Sequence, residues 1–514
     1  MNISNLLADR SVQAAGWPAV AFYRGMFDRR TPEELRIIAR VKRFTERFRA
    51  DAQWRAALRA DPTQAQVLFR AQGIELDAEL VAPMWLQSTS SAGISIAPKE
   101  ATAMWESSAP LRLWREWLSD MTRYRDLCRD AADTADHHPR FEAWRRRQLR
   151  RLAHELEPLN ATAINSPLIA YELSSGCSVG CWFCGISAER FGGYLPYDTT
   201  TAELWRGILE TVVERFGRAA ATGFCYWATD PCDNPDYSHF IEDHRRITGV
   251  LPPTTTAIPM RSPAQTREIL ALGDRYRHGN NRFSVLTLKA LNLIHENFDA
   301  DDLLTVDLVL QMNGSLTTKA KAGRGLLQSE RIERLAPVDR VDSDLEQHSI
   351  ACVTGFLIDM PKRTLRLVSP CRANEREPDG YHVFAEKPFT SIADFAAVLD
   401  LVIAENALDH PRQDTVMAFH QTVRTRFEEG VLIVQSRGQE ARVMPFPFLP
   451  RLVELIQTRR YSFNELIHIV TDDFPNDLLS VGVVLQDLFE SGLFEESAQT
   501  TSAAVPTVST TPML

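Results

Sequence analysis

Three cysteines, Cys177, Cys181 and Cys184, fall within eight residues in the stretch SSGCSVGCWFCG. The whole chain has eight cysteines in 514 residues, so the spacing is not a by-product of abundance. A disulfide takes two sulfurs, and a structural zinc site takes four ligands. Thiolates are soft ligands suited to iron–sulfur clusters. Three of them on one short loop can hold three irons of a cubane and leave the fourth free. An open position is what a catalytic metal centre keeps for its substrate. Gly180 and Gly185 ease the turns of such a loop. Two other readings stand beside this one: a zinc site completed by a distant ligand, and three separately buried cysteines.

The remaining cysteines are Cys128, Cys225, Cys232, Cys352 and Cys371. Cys371, in LRLVSPCRANEREPDGYHVF, follows Pro370 at the end of a predicted strand and precedes a loop with Gly380. A thiol at such a rim could reach the mouth of a barrel. Cys232, in YWATDPCDNPDY, is the rival. Cys128 and Cys352 read as small buried hydrophobes.

The elements that must position these sulfurs follow from periodicity. Residues 1–165 read as successive helices; TPEELRIIARVKRFTERF opens with a Thr31 cap and repeats apolar residues at helical spacing. The Arg-rich run RFEAWRRRQLRRL reads as one solvated helix face. From 166 to 380, short β-rich runs (PLIAYELSS, ATGFCYWAT, TTTAIP, RFSVLTL, LLTVDLVLQM) alternate with helical stretches, which predicts repeated βα units and a parallel sheet. The cysteine loop then follows the first strand, on the C-terminal face where the active sites of βα barrels gather. HSIACVTGFLIDM and TLRLVSPC flank PKR as a hairpin, and residues 381–412 form a connecting helix. Residues 413–497 read as a winged-helix-like unit, with two strands around RGQ and then three helices. The Ser/Thr/Pro-rich tail, 498–514, has little to bury and is expected to be disordered.

Composition narrows the class. Hydrophobic content of 44% and charged content of 24% suit a globular protein. The net charge of -10 gives no basic footprint for nucleic acid, and the last helix of the winged unit is acidic. No run approaches the ~18 apolar residues of a membrane span, and MNISNLLADRSVQ lacks a signal-peptide core. Cysteine usage indicates a reduced, cytoplasmic setting.

With GCSVGCWFCG in place, residues 166–380 resemble the radical S-adenosylmethionine superfamily. The resemblance implies a partial (β/α)6 TIM-like barrel within an α/β chain. It also implies a [4Fe-4S] cluster on Cys177, Cys181 and Cys184, whose unique iron chelates S-adenosylmethionine, and a 5′-deoxyadenosyl radical after one-electron reduction. Phe183, before the third cysteine, would pack on the adenine, or else pack in the core. Family members carry a Gly-Gly-Glu-Pro-like segment after the second strand; here it reads Ala228, Thr229, Asp230, Pro231, with Asp230 keeping the carboxylate. Ser284 would meet the ribose, and Gln311 would face the same ligand. The features GCSVGCWFCG, YWATDPCDNPDY and GFLIDMPKRTLRLVSPCRA are similar to peptide epimerases of the proteusin type. That resemblance implies inversion of L-residues in a ribosomally made precursor peptide, with Cys371 returning the hydrogen and an external one-electron reductant. The unit at 413–497 is similar to leader-peptide recognition domains, and residues 43–80 resemble a proteusin-like leader. Another radical peptide maturase and an iron–sulfur DNA-binding regulator are the alternatives.

Overall fold

The structure, a computed structural model, describes residues 17–86, 103–132, 138–156, 161, 164–312, 314–316, 321–327, 349–437 and 439–496. The disordered-tail expectation lies outside these residues. Three layers of sequence give three bodies of structure: a helical N-terminal region, a mixed α/β centre and a C-terminal unit of strands and helices.

The N-terminal region holds α1 (Pro18–Asp28), α2 (Pro32–Ala50), α3 (Ala52–Ala60), α4 (Ala65–Ala71), α5 (Ala82–Leu86) and α6 (Ala109–Asp130). Helix α2 starts where the sequence places it. Thr31 accepts from the backbone of Glu34, the Glu34 carboxylate reaches back to Thr31, and Pro32 supplies a preset φ. Phe44, Phe48, Trp54, Leu58 and Phe69 of the 43–80 stretch join one buried core with Trp114 and Trp117 of α6. Tyr23 donates to the carbonyl of Gly279 at 2.6 Å and Arg43 to that of Phe298 at 2.7 Å, so the helices dock on the α/β centre.

Helix α7 (Pro139–Glu155) leads into the centre. Its Arg-rich run is not a solvated face. Arg145, Arg147 and Arg151 are all buried, because each finds partners that offset the desolvation of its charge. Arg145 donates to the carbonyl of Thr354, Arg147 pairs with Glu496 at 2.7 Å, and Arg151 pairs with Glu155 and donates to the carbonyl of Pro370 at 2.8 Å.

The centre is mixed α/β. In chain order come β1 (Ile169–Glu172), β2 (Ser174–Ser175), β3 (Gly193–Tyr194), α8 (Thr199–Phe216), α9 (Tyr237–Thr248), β4 (Thr255–Thr256), α10 (Pro263–Tyr276), β5 (Asn281–Val285), α11 (Leu288–Asn297) and β6 (Val306–Leu310). Then follow β7 (Gly355–Asp359), β8 (Thr364–Pro370), β9 (Tyr381–Pro388) and α12 (Ile392–Asn406). Strands β4, β5 and β6 pair in parallel, and β1 pairs in parallel with β7. The run ATGFCYWAT, expected as a full strand, contributes one parallel bridge, from Phe224 to Ala170. Among the described residues the parallel strands form separate ladders rather than a closed ring. Strands β8 and β9 extend the β1–β7 sheet as an antiparallel meander.

Side chains alternate along β1. Ile169 and Tyr171 enter the large core with Phe141 and Trp144 of α7 and Trp205 of α8, on the helix-covered face. Ala170 faces the other way, with Leu357, Val368, Phe224 and Trp227. The C-terminal unit has β10 (Arg424–Glu428), β11 (Val431–Gln435) and β12 (Glu440–Val443) in one antiparallel sheet. Helices α13 (Leu449–Gln457), α14 (Phe463–Asp473) and α15 (Leu478–Glu490) follow and share a separate core with the sheet.

Candidate functional site

The cysteine loop leaves the C-terminal end of β1, as the spacing predicts. Strands β2 and β3 clasp its base: the backbone N–H of Cys177 donates to the carbonyl of Glu189 at 2.9 Å. All three cysteines are half-buried, so each is sheltered yet reachable. Burial pushes the Cys177 thiol up to about 11, with Asp230 and Asp233 adding to the effect, and burial beside Cys184 raises that of Cys181. Such thiols lose their protons as they coordinate.

Among the described residues the His/Cys/Asp/Glu group whose ligand atoms all lie within 4.8 Å of one another is Glu155, Cys371 and His382, not the cysteine loop. Three soft thiolates on one loop suit either an iron–sulfur cluster or a zinc site completed by a further ligand.

Two clamps that sequence reading missed hold this loop. Asp233 accepts from the Ser178 backbone N–H at 2.8 Å and from its hydroxyl, and Arg261 pairs with the same carboxylate at 2.9 Å. On the other side Arg324 donates from its backbone to the carbonyl of Cys184 at 2.9 Å and from its guanidinium to the carbonyls of Cys181, at 3.0 Å, and Ala188. Gly323 sits at φ +54°, and a Cβ there would stand 2.4 Å from the Cys184 oxygen, so only glycine brings Arg324 this close. A Gly before an Arg is too common a pair to signal such a clamp.

The other expected ligand contacts are distributed as follows. Phe183 is half-buried and meets Trp182 edge-on, with ring centroids 5.2 Å apart. Thr229 and Asp230 follow the Phe224 bridge, and the Asp230 carboxylate is close enough to Cys177 and Cys181 to help raise both thiols. Asp230 is buried, and its carboxylate is taken up by the chain itself: it accepts from Thr256 Oγ1 at 2.7 Å, Ala257 N at 2.7 Å and Cys232 N at 3.0 Å. Burial nonetheless pushes its pKa up to about 6, those hydrogen bonds opposing the rise. Asp230 thus splices the 224–233 segment to β4, a task the sequence reading did not foresee. Ser284 lies on β5 opposite Val309, and the Gln311 backbone extends the ladder by donating to Val285 O at 2.8 Å. The two sit near the C-terminal ends of neighbouring strands, as expected. Glu172, at the end of β1, was not singled out. Its carboxylate accepts from Ala228 N at 3.0 Å and Arg366 at 3.1 Å, and burial pushes its pKa up to about 7 despite Arg366.

Cys371 differs from expectation. Strand β8 runs antiparallel to β7, and Thr364 pairs with Asp359, which itself pairs with Glu172. Cys371, seven residues on, lies about 23 Å of extended chain down the sheet from that end. It is 0% exposed, beneath α7, not at an open rim. From the cysteine loop, Ile186 packs on the cluster that contains Val368, three residues before Cys371, as does Tyr381. Two segments then bridge the motifs. Ile350 fills the space where a Gly185 Cβ would stand, 2.8 Å away, and Ser349 Oγ donates to Gly380 O at 2.7 Å; that same carbonyl accepts the Cys371 N–H at 2.9 Å. Gly323, beside Cys184, donates to Pro378 O at 2.6 Å, in the loop that follows Cys371. Cys232, the rival, is buried in the turn between Asp230 and Asp233, and burial lifts it to about 12.

No protein-family model matches the chain. It is 38% identical over 476 residues to a protein of Sinorhizobium fredii described as the uncharacterized protein y4wI, an alignment that spans 92% of this chain and 90% of that one. At that identity and coverage the chain belongs to the family of y4wI.

Proposed function

We propose that this chain is a radical S-adenosylmethionine enzyme that converts L-residues to D-residues in a ribosomally made precursor peptide. One observation carries the reading. A three-cysteine loop at the C-terminal end of β1 is tied, through Gly323 and through Ser349–Ile350, to the segment that holds a single enclosed thiol, Cys371. Cys177, Cys181 and Cys184 would hold a [4Fe-4S] cluster, which together with S-adenosylmethionine and an external one-electron donor would supply the radical chemistry that removes a Cα hydrogen.

The chain's own contribution is orientation, dryness and a hydrogen atom. Arg324 and Asp233 fix the loop from opposite sides. Cys371 is sealed from water, and burial pushes its thiol well up, with Glu155 adding to the effect and Arg151 opposing it. A thiol held as S–H can hand over a hydrogen atom, which a thiolate cannot. In the partial-barrel arrangement, β1 with the Phe224 segment and β4–β6 form the wall, and Ser284 and Gln311 line its upper edge.

The C-terminal unit is the proposed leader-binding module. Strand β12 is an edge of its sheet, and Leu479 and Val483, four residues apart on α15, are 83% and 59% exposed. An extended peptide that adds a strand to such an edge and rests side chains on a helix uses β-augmentation.

The class is tested by anaerobic reconstitution with iron and sulfide. The wild type is expected to gain iron and visible absorbance and to cleave S-adenosylmethionine to 5′-deoxyadenosine when reduced. Cys177→Ala, Cys181→Ala and Cys184→Ala are each expected to lose both. Full iron and cleavage in any one of them overturns the assignment.

A further inference from the structure

Cys371 poses a problem of supply. Under the proposed reaction its hydrogen leaves once per turnover, yet the residue is 0% exposed. A replacement proton must come through neighbouring groups. From α7, Arg151 and Glu155 face it; from the loop after β8, Arg372 and Glu377; from β9, His382; and from the C-terminal unit, His420. The ligand atoms of Glu155, Cys371 and His382 all lie within 4.8 Å of one another. His382 Nδ1 is 3.1 Å from Glu377 Oε1, and both side chains are partly exposed. His420 Nε2 is 3.2 Å from Glu155 Oε1.

The cluster is poorly made for a cation. The Glu155 carboxylate already pairs with Arg151 and His420 and accepts the Arg372 backbone N–H at 2.9 Å. A buried guanidinium next to the sulfur repels a metal ion, whereas it leaves a neutral thiol undisturbed.

We propose that His382, oriented by Glu377, is the group that returns the proton to Cys371, with Glu155 as the buried acceptor that holds the thiol and the imidazole together. This rests on Cys371 being the hydrogen donor. The step balances as follows. The peptide Cα radical takes a hydrogen atom from Cys371 S–H, giving a Cα–H bond and a sulfur radical. One electron from the external low-potential donor and one proton from the His382 imidazolium restore S–H. His382 regains its proton from water through Glu377.

The test follows S–H to S–D exchange of Cys371 by difference infrared spectroscopy, the full-length, cluster-free wild type against Cys371→Ala. In His382→Asn, which keeps a hydrogen-bonding side chain but carries no titratable proton, exchange is expected to slow about 100-fold, the low end of what a positioned acid–base group supplies. Glu377→Gln, on a more exposed residue, is expected to slow it less, and serves if the first variant does not fold. With the reconstituted enzyme and a precursor peptide, His382→Asn is expected to complete one inversion per chain at the wild-type rate and then stall. Equal exchange and equal multiple turnover in wild type and variants overturn the relay. Fast, His382-dependent exchange in a protein that makes no D-residues upholds the proton route and overturns the epimerase reading instead.

Discussion

The Asp233 clamp makes the most quantitative demand on the cysteine loop. Its side chain is 2% exposed, while that of Arg261 is 49% exposed. The ion pair with Arg261, half in water, is worth at most about 1 kcal/mol. The two hydrogen bonds from Ser178 run to a charged, buried acceptor and are worth about 1.5–3 kcal/mol each. Asp233→Ala removes all three and leaves the Ser178 N–H half-buried without its partner. Water refills part of the gap, so the expected loss is about 3 kcal/mol, with Asp233→Asn near half of that and Arg261→Ala under about 1 kcal/mol. Urea unfolding of the cluster-free protein reads the stability, and iron per chain after reconstitution reads the loop. Because Ser178 follows Cys177, iron retention is expected to fall in the same order. If Asp233→Ala unfolds within about 0.5 kcal/mol of wild type and loads as much iron, the clamp does not position the loop.

Two further outcomes are expected. Glu172 has a folded pKa of about 7 against 4.5 unfolded, so its favourable contribution is complete below pH 4.5 and is lost as pH rises to 7. Glu172→Gln abolishes this dependence, and its stability relative to wild type is expected to climb across that window by up to about 3 kcal/mol; a flat difference in denaturation midpoints contradicts it. On α15, the double variant Leu479→Asp, Val483→Asp is expected to weaken binding of a fluorescent leader peptide at least about tenfold while iron loading stays intact, and unchanged anisotropy titrations count against that surface.

What the sequence disclosed depended on whether partners were near in the chain. The position of the cysteine loop was legible because its three cysteines fall within eight residues and follow a strand with an apolar run. Helix α2 was legible from its cap and periodicity, and strands β5 and β6 from their β-rich runs. The second strand was overcalled, since ATGFCYWAT is apolar and aromatic but only Phe224 reaches the ladder. Strand β10, RTRFE, was missed because its exposed, charged side chains hide the pairing with β11. The Arg-rich face of α7 was read as solvated because its partners, Thr354, Pro370 and Glu496, lie far along the chain. The surroundings of Cys371 come from α7, β9 and the C-terminal unit, and no local pattern joins Glu155, His382 and His420. The antiparallel turn between β7 and β8 reversed the end of the sheet to which Cys371 belongs.

The central claim is that hydrogen returns to the peptide Cα from a solvent-exchanging thiol on this chain. Co-expression with a leader-bearing precursor, followed by incubation of the reduced enzyme in deuterated water and mass spectrometry with chiral amino-acid analysis, measures it directly. The wild type is expected to add one deuteron for each D-residue formed. Cys371→Ala is expected to keep cleaving S-adenosylmethionine while D-residues and deuterium fall to background. Deuterated D-residues from Cys371→Ala at the wild-type rate, or a wild type that leaves every residue in the L form, would contradict the account.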